Sequence, residues 1–412
     1  MGRQDFFANL PSEITTSILS RLPIRSISIT KCVCKSWLDL FESDYFDFVK
    51  SKIKTPFTIF RKENPTRCTI WEFDDEDKAD ALRFHCLTDI QIPLDVWGSF
   101  WVQQTNGLLL LWTEMDRHNY ICNPLTREYI DLGSPDVSRM GDGFYFGFGV
   151  SKSGQYKVVC VNPGAEYHHV YTLGTGTWRR IEAGATSGCR FGDNDPEDHY
   201  TVYNGNPHWM VYNIDKDDKT FRIWAFDVET ESFSIFTAPD ARGHAGDETL
   251  WCLRLSVLGG CLCLSYSLGE SEYFVIWSMK EYQVEESWTK HQIRIDCYCK
   301  FEMEYMIVAP IKVYKNGDVL MFLDDVCLVY YSNKTETTQR VGMFDITHAT
   351  IFTPSLFSLK NFGGENVISF QTRMQPQAQV EQIADEVEPP APAGRPQRNR
   401  RRPKRYEDYV PH

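Results

Sequence analysis

The side chains able to do chemistry are few and widely spaced. No Gly-x-Ser-x-Gly nucleophile elbow or other hydrolase motif is present, and no Gly-x-x-x-x-Gly-Lys loop exists to cradle a phosphate. Gly147 and Gly149 lie in an apolar run, Tyr145 to Val150, that lacks a third glycine and a following helix. That run reads as a strand at a tight packing point. Cys261 and Cys263, like Cys297 and Cys299, are two residues apart, whereas zinc knuckles space their ligands by about two to four intervening residues. On a strand such pairs share one face and fill a core row. His168 and His169 point to opposite faces, so they do not make a metal pair either. The remaining chemical feature is a basic cluster, Arg395, Arg398, Arg400, Arg401, Arg402, Lys404 and Arg405. It has the composition of a nuclear-import signal or a weak nucleic-acid clamp, with a self-repelling solvated run as the plainer alternative.

What positions these residues follows from composition. The 412 residues are 42% hydrophobic and 14% aromatic, enough for a large core, and the net charge of -13 makes the body acidic. An acidic body argues against nucleic-acid and anionic-membrane binding, which need a positive field at the contact. Apolar runs such as Leu108 to Trp112 are too short to span a bilayer. The N-terminal residues lack the apolar stretch of a secretory leader, so a cytoplasmic or nuclear location is expected, with the 13 cysteines as free thiols.

Three regimes divide the chain. Residues 5–50 carry helical periodicity: Ile14, Ile18, Leu19 and Leu22 form one stripe, with Ser12 as N-cap and Pro23 as stop. A second helix follows from Ile24, and a third contains Trp37, Leu38 and Phe41. So small a bundle buries little surface and is expected to share an apolar face with a partner. Residues 51–371 read as short strands punctuated by Asn106-Gly107, Ser153-Gly154, Asn204-Gly205 and Asn316-Gly317. They fall into six groups, expected as four-stranded blades of a β-propeller-like ring closed by Ala349 to Leu359. A β-sandwich or two packed sheets is the alternative. Residues 372–412 have few apolar anchors and are expected to be a disordered tail. The fold class is thus α+β and multidomain.

The run from Leu10-Pro11-Ser12-Glu13-Ile14 through Leu22-Pro23-Ile24, followed by Cys32-Val33-Cys34-Lys35-Ser36-Trp37, resembles the F-box of plant F-box proteins. Asn123-Pro124-Leu125-Thr126-Arg127, Phe146-Gly147-Phe148-Gly149 and Tyr156-Lys157-Val158-Val159 resemble the F-box-associated interaction domain of the same family. The resemblance implies a non-catalytic subunit of a SKP-cullin-F-box ubiquitin ligase that needs no cofactor. Its F-box would bind a SKP-type adaptor and, through it, the cullin scaffold, while the β domain captures a protein target. The adaptor face would comprise Leu10, Pro11, Ile14, Ile18, Leu19, Leu22, Pro23 and Ile24, with Val33 and Trp37 as helix-packing anchors. Trp37 reads equally well as bundle core alone. The second helix departs from the family, with Ile27-Ser28, Ile29 and Thr30 where a Leu-Leu pair and a later aromatic are usual. That departure predicts adaptor affinity below the family norm. Two alternatives are a decoy that no longer assembles a ligase, and a ligand-binding or hydrolytic propeller with a polar cluster in its channel.

Overall fold

Each Asn-Gly pair forces a reversal. In a computed structural model of the chain, Asn106 and Gly107 have φ of 46° and 82°, and Asn204 and Gly205 have 52° and 79°. These left-handed values match the twist of a tight hairpin and are tolerated best by Asn and Gly. The structure describes residues 10–22, 26, 34–41, 57–62, 67–73, 84–91, 101–112, 118–135, 144–162, 164–187, 199–212, 221–239, 253–267, 273–294, 307–323, 327–343 and 348–369. The tail and its basic residues Arg398, Arg400, Arg401, Arg402, Lys404 and Arg405 lie outside them. So does most of the expected second helix, including Ile27 to Thr30.

Two α-helices of more than one turn are described, α1 (Ser12–Leu19) and α2 (Lys35–Phe41). The strands are β1 (Phe57–Lys62), β2 (Arg67–Phe73), β3 (Phe84–Gln91), β4 (Trp101–Thr105), β5 (Leu108–Trp112), β6 (Asn119–Asn123), β7 (Glu128–Asp131) and β8 (Tyr145–Val150). There follow β9 (Tyr156–Val161), β10 (Tyr167–Thr172), β11 (Trp178–Glu182), β12 (Tyr200–Tyr203), β13 (Asn206–Tyr212), β14 (Phe221–Asp227), β15 (Ser232–Thr237) and β16 (Arg254–Leu258). The remainder are β17 (Cys261–Ser267), β18 (Tyr273–Met279), β19 (Trp288–Arg294), β20 (Val308–Val313), β21 (Val319–Leu323), β22 (Cys327–Ser332), β23 (Thr337–Met343), β24 (His348–Phe352) and β25 (Val367–Ser369).

These strands form antiparallel sheets ordered β24-β1-β2-β3, β4-β5-β6-β7-β25, β8 to β11, β12 to β15, β16 to β19 and β20 to β23. The expectation of uniform four-stranded blades is corrected at one place: five sheets have four strands, and the sheet that begins with β4 has a fifth, β25, added beside β7. The middle strands explain why the sheets stack in a ring. Along β5, Leu109 and Leu111 join Cys68, Ile70 and Phe352 of the first sheet, whereas Leu108 and Leu110 join Phe148 and Val158 of the third. Both faces of the strand are therefore core, as its unbroken apolar sequence requires. The same alternation continues with Val159 and Val170 against Trp209 and Phe226, Phe221 and Ile223 against Leu264 and Val275, and Phe274 and Ile276 against Met321 and Val329. Leu320 and Tyr330 of the last sheet then pack with Trp71 and Ile351 of the first. Every sheet thus has two neighbours, which rules out the sandwich.

Closure is double. Strand β24, from the C-terminal side, pairs with β1 from the N-terminal side, Thr58 opposite Phe352 and Lys62 opposite His348. The predicted closing strand stops at Phe352, and residues beyond it leave the sheet. Polar ties add to the apolar joints: Gln103 Nε2 donates to Phe146 O at 2.7 Å, and Thr105 Oγ1 to Phe148 O at 2.7 Å.

Candidate functional site

Helix α1 starts from Pro11, whose carbonyl accepts the Ile14 and Thr15 amides at 3.0 Å each. Proline at the cap replaces the expected Ser12, which is the first helical residue instead. Residues four apart share a helix face, and this divides the expected stripe. Ile14 and Ile18 are 49% and 43% exposed and Leu10 is 38% exposed, whereas Leu19 is 2% exposed. The inward face is Thr15, Thr16, Leu19 and Ser20, and Leu19 packs against Leu22, Trp37, Leu40 and Leu356. The single stripe is therefore two faces: Leu10, Pro11, Ile14 and Ile18 outward, Leu19 and Leu22 inward. Trp37 is half-buried in that small core. Pro23, Ile24 and Val33 lie outside the described residues.

Leu356 lies in the part of the expected closing segment, Ala349 to Leu359, that leaves the sheet after Phe352. From Phe352 the chain crosses the tight turns of the second and third sheets. Asn123 is fully buried, and its Oδ1 accepts the amides of Leu125 and Thr126 at 2.9 and 3.3 Å, shaping the turn. Its Nδ2 donates to Ser355 O at 3.1 Å and Phe357 O at 2.7 Å. Glu128 accepts from the Ser358 hydroxyl at 2.9 Å and the Leu359 amide at 2.8 Å. Farther on, Glu365 accepts from Tyr171 Oη at 2.8 Å and the Gly174 amide at 2.7 Å. Burial, and then the neighbouring Glu365 carboxylate, push the Tyr171 hydroxyl well above its ordinary pKa. Phe362 stands edge-on to Tyr156 with centroids 5.7 Å apart, and β25 completes the crossing.

The other singled-out residues serve packing. A Cβ on Gly147 would lie 2.3 Å from Trp209 Cζ2, and one on Gly149 2.5 Å from Gly205 O, so both glycines admit the next sheet. Cys263 is buried and Cys261 packs against the same cluster, the shared core row expected of the pair. Cys297 and Cys299 are outside the described residues. Among the described residues no group of three His, Cys, Asp or Glu could hold a metal ion. Burial, and then His169, bring His168 down to a pKa of about 4. In that neutral state Nδ1 accepts from the Asn162 amide at 3.2 Å and Nε2 donates to Thr186 Oγ1 at 2.7 Å. His208, also held at about 4 by burial, donates from Nδ1 to Asn206 O at 2.8 Å and accepts from Tyr282 Oη at 2.7 Å. Both rings act as structural neutral hydrogen-bonders, each satisfied at both nitrogens.

Comparison with known proteins matches this division of the chain. The F-box domain family matches residues 7–49, and the F-box associated beta propeller domain family matches residues 57–367. The Arabidopsis thaliana F-box protein At3g07870 is 26% identical over 355 residues, covering 78% of this chain and 81% of that protein. F-box protein CPR1 of the same plant is 26% identical, covering 69% and 72%. With another Arabidopsis thaliana F-box protein the identity is 29% over 253 residues, and the chain spans 64% of that relative. Among solved structures the Dos1 propeller aligns at 9% identity and a TM-score of 0.35, over 71% of this chain and 69% of its own. The two matched families, laid over a short helical module and a closed ring of sheets, show that the chain belongs to the plant F-box proteins with an F-box-associated β-propeller domain.

Proposed function

We propose that this protein is the non-catalytic target-recognition subunit of a SKP-cullin-F-box ubiquitin ligase, with Leu10, Pro11, Ile14 and Ile18 as the described part of its adaptor face. The observation that carries this reading is the outward pair Ile14 and Ile18 on a helix whose other face already has its core. Two large aliphatic side chains four residues apart form a ridge for a partner's groove. Ubiquitin transfer then needs from this chain only tethering, which makes the meeting of target lysine and conjugating enzyme effectively intramolecular.

The target belongs at the end of the ring opposite the tight turns. Strands β3, β7, β11, β15 and β19 each end there, and the connections that follow, residues 92–100, 132–144, 183–199, 238–253 and 295–307, carry 13 Asp or Glu against 4 Lys or Arg. Such a charge balance favours a target with a basic surface and makes its capture weaken as salt is added. On this reading the protein works in the cytoplasm or nucleus, and the basic tail serves as an import address. Co-purification with a SKP-type adaptor tests the assignment: a stable complex is expected, whereas target capture without any complex would establish the decoy reading.

A further inference from the structure

We propose that the segment from Thr353 to Phe362 is the seat of the F-box on the propeller, holding the adaptor-binding helix in one orientation over the tight-turn face. This goes beyond adaptor binding, because it assigns an internal docking surface and does not depend on what α1 binds. Asn123 grips the carbonyls of Ser355 and Phe357, the two neighbours of Leu356. The backbone on either side of Leu356 is therefore fixed to the second sheet, and the side chain between packs on Leu19, the one fully buried apolar residue of α1. Glu128 fixes the next two residues, and Leu359 is fully buried between the second and third sheets. On the other side of the segment, Gly107 leaves room: a Cβ there would stand 2.4 Å from Ser355 Cβ and 2.7 Å from Thr353 O.

The chain leaves β24 at the end of the ring where the β4-β5 and β6-β7 turns lie, as its contacts with Gly107 and Asn123 show. The long connections leave from the opposite end. Seating the F-box on Leu356 therefore puts α1 at the end of the ring opposite the one from which the long connections leave, separating adaptor and target. The Asn-Pro-Leu-Thr-Arg turn acquires a specific task as a positioning element, acting on the F-box through the segment it holds.

Hydrogen exchange on the full chain, with no adaptor present, tests the seat separately from the ligase reading. In Leu356→Ser, and more mildly in Leu356→Ala, the α1 amides should exchange about tenfold faster, the effect of losing the contact of a half-buried leucine with buried Leu19. Leu356→Met should restore protection, and amides of β5 and β9 should exchange as in the wild type. Unchanged α1 exchange in both truncated variants would overturn the proposal. So would equal acceleration of the β5 and β9 amides, because Leu356 would then serve ring stability and not the seat.

Discussion

Replacing Gly147 with alanine should destabilise the ring through one methyl group. Gly147 is not among the glycines with positive φ, so its backbone accepts any residue and the substitution isolates space from strain. The new Cβ would stand 2.3 and 2.6 Å from Trp209 Cζ2 and Cη2 and 2.9 Å from Pro207 Cβ. Trp209 is 2% exposed and its Nε1 donates to Phe146 O at 3.2 Å, so the ring cannot swing aside without breaking a buried hydrogen bond. Overpacking a close-packed joint costs about 1–3 kcal/mol, against which the lower chain entropy of alanine in the unfolded state returns about 0.4–1 kcal/mol. The hydrogen bond at stake places the net cost at about 2 kcal/mol. Urea unfolding of Gly147→Ala measures it, with Gly363→Ala as the control, since a Cβ at Gly363 meets nothing within 4 Å. In a Trp209→Phe background the same alanine should cost about 1–2 kcal/mol less, a coupling only contacting residues show. A Gly147→Ala protein within about 0.5 kcal/mol of wild type, or an equal cost in both backgrounds, would refute the inter-sheet role of this glycine.

Acid should weaken the fold through His168 and His208. Both have folded pKa values of about 4, below the ordinary 6.5, so between those values the unfolded chain binds the extra protons and stability falls as pH drops. Each should contribute about 1.4 kcal/mol per pH unit across that window, and His208→Gln should remove one such share, as read by urea midpoints at pH 7 and 5. An unchanged pH slope would contradict neutral burial. Deleting residues 372–412 should leave adaptor affinity within about threefold of wild type, because a charged, proline-rich segment offers few apolar anchors. A larger loss by calorimetry would place the tail in the interface. Residues 391–412 fused to a reporter too large to diffuse through the nuclear pore should bring it into the nucleus if the basic cluster is an address, and an unchanged distribution would reject that role.

Local signals were read well from sequence. The Asn-Gly turns place left-handed φ values that Asn and Gly adopt at least cost, and unbroken apolar runs such as Leu108 to Leu111 delimit strands buried on two sides. Motif spacing singled out Asn123, Gly147 and Gly149, but their tasks were hidden. Asn123 bonds to residues 232 and 234 positions away, and no local pattern encodes a partner that distant. Periodicity also put Ile14, Ile18, Leu19 and Leu22 on one stripe, because hydrophobicity does not say whether a neighbour lies within the chain or outside it. Thr15 and Thr16 take inward positions that composition assigns to the surface. The fifth strand β25 is only three residues long and adds to an edge after the ring has closed, so it left no repeat to detect.

The adaptor face is tested most directly by titrating the full chain with a SKP-type adaptor in a calorimeter, wild type against Ile14→Asp/Ile18→Asp. Both side chains are already exposed, so the fold should survive, as a far-UV spectrum and melt would show. Each lost aliphatic contact should cost about 1–2 kcal/mol and each introduced charge more, weakening binding at least about a hundredfold. Equal affinity for the two proteins, both folded, would contradict the assignment of this face and the ligase role built on it.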